Sequence, residues 1–243
     1  MNLKNSSAKA FKCQGFQMPT LVDALSTERF GTYLTWADGD DALAIRLYSF
    51  NVSLSAALYG PLHMLEITLR NIADRALTTA FGMDWMDDRA ALVTNYQQRC
   101  VADAYNDLMR EGKAATHAQM VAELNFGFWS SLFGRTPGNH LWRVLRPIFQ
   151  TKGLQRSDIA AQLKDFRLLR NRVAHYEPII ALLLAQRYAD ITTLTGWLSP
   201  SAAAWINHTS TWGTIYPAVP VLTVDPVTGT TRFAAAALPF LPA

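Results

Sequence analysis

A nine-residue stretch from Arg170 to Pro178 concentrates cationic, amide and carboxylate side chains in a chain that is 50% hydrophobic. Histidine changes its charge near neutral pH, so His175 is a candidate general acid or base. Arg170 presents a planar fork of donors that suits a phosphate group and stabilises charge developing on it. Asn171 supplies an amide that orients either group. These residue types favour chemistry on a phosphodiester.

A helix is predicted to carry this stretch at its C-terminal end. Ser157 is the predicted N-cap, and Pro178 disfavours a helical conformation at Glu177, so the helix should end near residue 176. Asn171 and His175 are four residues apart and share one face, while the preceding arginine lies about 100° round the helix. The apolar stripe that faces the core is Ile159, Leu163, Phe166, Leu169 and Val173.

A structural role explains the same residues. A histidine in the last helical turn interacts favourably with the helix dipole. The arginines can pair with Asp165 and Glu177, and an arginine followed five residues later by a histidine also occurs by chance. Composition and spacing alone therefore favour the structural interpretation.

The rest of the chain is predicted to be helical as far as residue 212. Gly60-Pro61 is expected to interrupt one long amphipathic pattern, as a kink or as a boundary. Thr116 and Gln119 match a capping box. The fold class is all-α, with a loose N-terminal arm at 1–18, a helical domain at 19–212 and an extended or hairpin tail at 213–243, loosely held after residue 233. Helices are predicted at about 21–25, 27–36, 41–59, 62–80, 87–110, 117 onward, 139–148, 157–176, 178–198 and 201–208.

Composition narrows the function classes. Charged residues are 17% of the chain, below the roughly 25% of typical soluble domains, so a second copy is the simplest cover for apolar surface. The net charge of +3 permits binding to a polyanion without requiring it. Two distant cysteines form no zinc or disulfide pattern. The apolar runs are far shorter than the roughly 20 residues that span a bilayer, and no signal-peptide core is seen, so a cytoplasmic protein without membrane contact is expected.

The motif Arg170-Asn171-x-x-x-His175 resembles the RN-x3-H form of the HEPN signature. The wider string from Leu168 to Ile179 is more narrowly similar to the Abi-like (abortive-infection) family. Three further segments resemble that family in the same order, so the likeness covers about residues 48–184. They are Tyr48-x-x-Asn51-x-x-Leu54-Ser55-x-Ala57-Leu58, Leu65-Glu66-x-x-Leu69-Arg70-Asn71 and Phe128-Trp129-x-x-Leu132-Phe133.

The resemblance implies a HEPN-like helical bundle that dimerises so that two motifs face each other across a cleft. It also implies a metal-independent endoribonuclease without cofactor, in which the RNA 2′-OH attacks the neighbouring phosphate. His175 would then be the acid/base, Arg170 the phosphate clamp and Asn171 the orienting group. Such proteins act as toxins or in phage defence. Some members carry a modified tyrosine two residues after the histidine, whereas here Tyr176 follows directly and Glu177 takes that position.

Supporting residues are expected on a second helix and around the motif. Glu66, Arg70 and Asn71 lie on one helical side and are predicted to line the same cleft, with Glu66 holding Arg170 or Arg172; the alternative is a structural Glu66–Arg70 pair. His63 and Glu66 have no matching second pair, so no metal site is expected. Arg172, Tyr176 and Glu177 complete the supporting set. The aromatics Phe126, Phe128 and Trp129 are expected to pack in a core or dimer contact rather than to stack bases.

Two alternatives to a nuclease remain open from the sequence. One is a non-catalytic helical module that binds RNA or a protein through the same cleft. The other is a protein controlled by an antitoxin or regulatory partner. The motif supplies one histidine and one arginine, with no second base nearby in sequence. We therefore expect a symmetry mate to complete the site.

Overall fold

The computed structural model describes residues 21–135 and 140–242, which are mostly α-helical. The predicted all-α class is confirmed for this part of the chain, while the arm at 1–18 and the proposed cap Asn139 lie outside it. The α-helices are α1 (Leu21–Leu25), α2 (Thr27–Trp36), α3 (Asp41–Phe81), α4 (Asn95–Arg110), α5 (His117–Glu123), α6 (Phe126–Ser131), α7 (His140–Leu145), α8 (Arg156–Ala174), α9 (Leu184–Leu198), α10 (Pro200–Thr209) and α11 (Trp212–Ile215). Short 3-10 turns span Trp85–Asp87, Arg146–Ile148 and Ala235–Phe240, and one hairpin joins β1 (Leu222–Val224) to β2 (Thr231–Phe233).

Helix α3 is the central element, and it is continuous through the predicted break at Gly60-Pro61. The predicted alternative of a helix boundary is wrong because the apolar stripe stays in phase on both sides of the proline, while the alternative of a kink stays a prediction. Packing of that stripe offsets the cost of a proline inside a helix, about 3 kcal/mol. Asp40 caps the helix by accepting the Leu43 N–H at 3.0 Å. The buried stripe across the proline is Leu54, Leu58, Leu62, Leu65 and Leu69.

Two helices begin at residues other than the predicted ones. The helix expected from residue 87 begins at Asn95, because Thr94 and Gln97 form a reciprocal capping box. The helix α8 begins at Arg156, and Ser157, the predicted cap, bonds to Asp158 instead. The predicted box at Thr116 and Gln119 is present.

The helix expected from Pro178 begins at Leu184 instead. Tertiary hydrogen bonds explain the delay, because the side chain of Asn51 on α3 binds the backbone at Glu177 and Ile179. The segment is therefore held in a non-helical path that propensity alone does not predict. At the next boundary Ser199 caps α10 through the Ala202 N–H, as expected from Ser199-Pro200.

The aromatic cluster on α6 lies in the core. Phe126, Phe128 and Trp129 are at most 3% exposed, and Trp85 packs against the last two rings. The Trp129 indole donates to the Leu124 carbonyl at 2.9 Å. Core packing therefore accounts for this cluster, as predicted from the sequence. Helix α6 in turn packs against α8.

The C-terminal tail returns to α3. Strands β1 and β2 pair antiparallel, so the predicted hairpin is confirmed. The expectation that the last residues are loosely held is wrong: Ala237 and Leu241 are buried. Arg46 of α3 donates to three tail carbonyls, those of Leu238, Leu241 and Pro242. In the described segments, no helix is both long enough and apolar enough to cross a membrane.

Candidate functional site

The motif ends α8 in a Schellman turn. The Tyr176 N–H donates to the Val173 carbonyl at 3.3 Å, and the Glu177 N–H donates to the Arg172 carbonyl at 2.9 Å. Tyr176 occupies the left-handed position with φ 59°, which usually belongs to glycine. That conformation costs a residue with a side chain roughly 1–2 kcal/mol. The turn therefore holds His175, the helix C-cap, at an exposed corner.

A buried amide fixes the chain after this turn. Asn51 is 2% exposed; its amide donates to the Glu177 carbonyl at 3.2 Å and its oxygen accepts the Ile179 N–H at 2.7 Å. Asn51 was missing from the predicted site. The available signal was one polar residue inside the apolar stripe of α3, between Leu47 and Leu54.

Arg172 and Glu177 belong to the turn. The Arg172 Nη1 donates to the Pro178 carbonyl at 3.2 Å, and its Nε lies 3.7 Å from the Glu177 carboxylate. Both groups are exposed, so this ion pair contributes at most about 1 kcal/mol. The structural alternative predicted from the sequence, an arginine that pairs with Glu177, is therefore present at Arg172. Arg170 has a different partner.

A groove of about 370 Å³ separates α3 from the end of α8. Inside it the Glu66 Oε2 lies 3.4 Å from the Arg170 Nε, so the predicted contact between these side chains is present. A smaller groove of about 240 Å³ shares Tyr59, Val173 and Tyr176 with it. The first groove is lined by Tyr59, Leu62, His63, Glu66, Arg170, Val173, Ala174 and Tyr176.

Asn171 and His175 lie outside this groove, on the neighbouring face of α8. They share that face because they are four residues apart, as predicted. His175 is exposed and Asn171 is half-buried. Neither side chain makes a hydrogen bond to any residue that the structure describes. The chain thus brings Arg170 to Glu66 but gives His175 no orienting partner among the described residues.

Arg70 and Asn71 line a different groove, of about 280 Å³, between α3 and α5. The Arg70 Nη1 donates to the Ala122 carbonyl and its Nε to the Asn71 side chain, each at 3.4 Å. The prediction that they share the cleft with Glu66 is therefore wrong. Arg70 lies four residues after Glu66 and therefore about 6 Å further along α3, where it reaches α5.

A histidine–aspartate pair in the groove between α3 and α5 was not predicted. The His117 Nε2 lies 2.8 Å from the Asp74 Oδ1, and the Trp85 indole donates to the same oxygen at 3.0 Å. The two paired side chains are 22% and 18% exposed. The pair ties α5 and the 3-10 turn to α3, and no sequence spacing links residues 43 positions apart.

In the described ranges no three histidine, cysteine, aspartate or glutamate side chains converge, so no candidate metal site is found there. His63 stacks on Tyr59 instead, with ring centroids 6.0 Å apart and an interplanar angle of 12°. A scan against protein-family models, a search of curated proteins and a search of solved structures each find no match to this chain.

Proposed function

We propose that this protein is a metal-independent endoribonuclease of the HEPN type, related to the Abi-like family, that cleaves RNA in the cytoplasm as a toxin or in phage defence. The observation that carries the proposal is that the end of one helix presents both an exposed histidine, His175, and an arginine, Arg170, that is held by Glu66. The turn after α8 presents His175 at a corner, and Glu66 orients Arg170 at the edge of the adjacent groove.

The chemistry needs a base, an acid and a cation. The RNA 2′-OH attacks the adjacent phosphorus while a histidine takes its proton. The bond from phosphorus to the 5′-oxygen breaks, and that oxygen takes a proton from a histidinium, so the products are a 2′,3′-cyclic phosphate and a 5′-hydroxyl. Arg170 contacts Glu66 through Nε, which leaves its terminal nitrogens for the phosphate. Because the nucleophile belongs to the substrate, no metal is required.

A homodimer fits this chemistry, since the two proton transfers need a base and an acid and one protomer offers a single histidine at this corner. Exposed apolar side chains surround the two grooves: Val52, Tyr59 and Tyr176 are 50%, 64% and 68% exposed. Contiguous apolar surface of this kind marks a protein-binding face. A second copy on this face would bring the two His175 side chains toward a shared axis.

Cleavage of a single-stranded RNA in EDTA tests the proposal. The His175→Ala variant should lose at least roughly 100-fold in rate, the lower range for a general acid or base. His208→Ala, which removes an exposed histidine on α10, is the matched control and should keep full rate. Mass spectrometry should find cyclic-phosphate ends. Equal rates for wild type and His175→Ala would show that His175 is not the acid/base.

A second candidate is a non-catalytic helical module that binds RNA or a protein. It is favoured by the lack of an orienting partner for His175 within the described residues. Such a module would bind RNA without cleaving it at any enzyme concentration, and Arg170→Ala would weaken binding. An antitoxin or regulatory partner covering the same face would co-purify with the protein, which pull-down of the tagged chain measures.

A further inference from the structure

A fourth groove, of about 290 Å³, lies against the middle of α8, on the same helix as the motif. Its walls come from three helices, and it includes two cations, Lys164 and Arg167. Tyr96 from the start of α4 and Gly127 from α6 close the other sides. None of these residues takes part in the function proposed above.

The two cations have no carboxylate partner. In the described parts of the chain, neither Lys164 nor Arg167 forms an ion pair. All 19 aspartate and glutamate residues fall inside those parts. The nearest acidic residue in sequence, Asp165, faces Arg187 at 3.8 Å. The groove therefore keeps an uncompensated positive charge, and such a site attracts an anion.

The remaining wall residues add no negative charge. Burial raises the pKa of the Tyr96 phenol, and a hydrogen bond with Cys100 acts in the same direction, so the hydroxyl stays protonated. Gly127 provides the space. A Cβ at this position would lie 2.9 Å from the Tyr96 hydroxyl and 2.9 Å from the Asn125 side chain.

Helical register connects this groove to the motif. Lys164, Arg167, Asn171 and His175 follow one another at steps of three, four and four, which places them on one face of α8. They are exposed or half-buried along its length. The rise from Arg167 to His175 is about 12 Å. At an axial rise of about 3.4 Å per phosphate in a stacked strand, this distance corresponds to roughly three to four nucleotides.

We propose that the groove of Tyr96, Lys164 and Arg167 binds the phosphate backbone of single-stranded RNA on one side of the scissile bond. The strand then runs along α8 from this groove to His175. The site rests on the proposed ribonuclease function and names how its substrate is held. Phosphate contacts of this type set position without selecting sequence. The exposed Tyr96 ring also offers a face on which a base can stack.

Equilibrium binding tests the site. The probe is a fluorescein-labelled 2′-O-methyl oligouridine of about 12 nucleotides, which is long enough to cover the track and cannot undergo 2′-OH attack. The variant is Lys164→Ala with Arg167→Ala. We expect roughly tenfold weaker binding, and a slope of log K against log salt that is shallower by about 1.4, the value for two lost phosphate contacts on a single strand.

The matched control removes two cations elsewhere. Arg110→Ala with Lys113→Ala lowers the net charge equally, but these side chains pair with Asp107 and Glu111 at the end of α4 and line none of the four grooves. The control should leave the slope unchanged. A cleavage assay over substrate length should also show that dinucleotides are cut far more slowly than strands that span the roughly 12 Å track.

The outcomes separate the two proposals. If the Lys164/Arg167 variant binds the probe with wild-type affinity and slope while wild type cleaves RNA, the groove is not a phosphate site and the nuclease stands. If wild type neither binds nor cleaves RNA, both proposals fall. If the variant binds weakly but cleaves saturating RNA at the wild-type rate, the groove is a binding site as proposed, separate from the chemical step.

Discussion

Leu69-Arg70-Asn71 on α3 and Leu169-Arg170-Asn171 on α8 are the same tripeptide in two settings. Both leucines are buried, so both arginines start from the flank of a core stripe. Arg70 donates hydrogen bonds to the Ala122 carbonyl on α5 and to the side chain of the neighbouring Asn71. Arg170 meets the carboxylate of Glu66 at the edge of an open groove. The packing of neighbouring helices, and not the tripeptide, decides which guanidinium is available.

The nearby histidines differ in the same sense. His117, beside Arg70, is half-buried and held by Asp74. His175, beside Arg170, is exposed and has no side-chain partner in the residues described. One region is thus internally satisfied and resembles a structural joint. The other pairs Arg170 with Glu66 but leaves His175 unpaired within the described residues, as the proposed ribonuclease site requires.

The two asparagines near the grooves give the largest expected contrast. Asn51→Ala would leave the Glu177 carbonyl and the Ile179 N–H unsatisfied, at a cost of about 2–4 kcal/mol in the free energy of unfolding. Asn71→Ala removes an exposed amide and should change it by less than about 0.5 kcal/mol. Urea unfolding measures both. Equal values for the two variants would mean that the segment after His175 does not depend on Asn51.

Local patterns predicted most of the helices but not their tertiary exceptions. The stripe from Ile159 to Val173 determines which face of α8 is buried, and the structure confirms it through Leu169. The delayed start of α9 depends on Asn51, which lies more than 100 residues earlier. The separation of Arg70 from the Arg170 groove depends on where α5 packs. Pairings over such distances leave no trace in local periodicity, so the contact of Glu66 with Arg170 was predicted but the positions of Asn51 and Arg70 were not.

The two arginines give the next contrast, in cleavage rate. Arg170→Ala should lower single-turnover RNA cleavage about 100-fold, since one donor to developing phosphate charge is worth that much. Arg70→Ala should stay within about threefold of wild type, because its contacts are to the protein's own backbone and amide. Melting temperatures of both variants control for folding. Similar losses of cleavage rate in both variants would show that the two regions do not differ in the way assigned here.

The smallest effect concerns how the two helices end. Helix α3 is followed by its C-cap Gly82 at φ 91°, whereas the turn after α8 places Tyr176 at φ 59°. Tyr176→Gly should relieve the left-handed strain and raise the unfolding free energy by about 0.5–1 kcal/mol. The gain is limited by the lost contact with Arg29, whose guanidinium carbon lies 6.0 Å from the ring centre.

Cleavage by Tyr176→Gly should nevertheless fall, because the ring lines both grooves beside Arg170. Tyr176→Asn is the matched variant, since asparagine tolerates the same backbone conformation and should give a smaller gain in stability. Opposite changes in stability and activity would show that the strain at Tyr176 is retained for its side chain. A variant that is both more stable and fully active would place Tyr176 with the structural residues, and the functional part of the turn would then reduce to His175 alone.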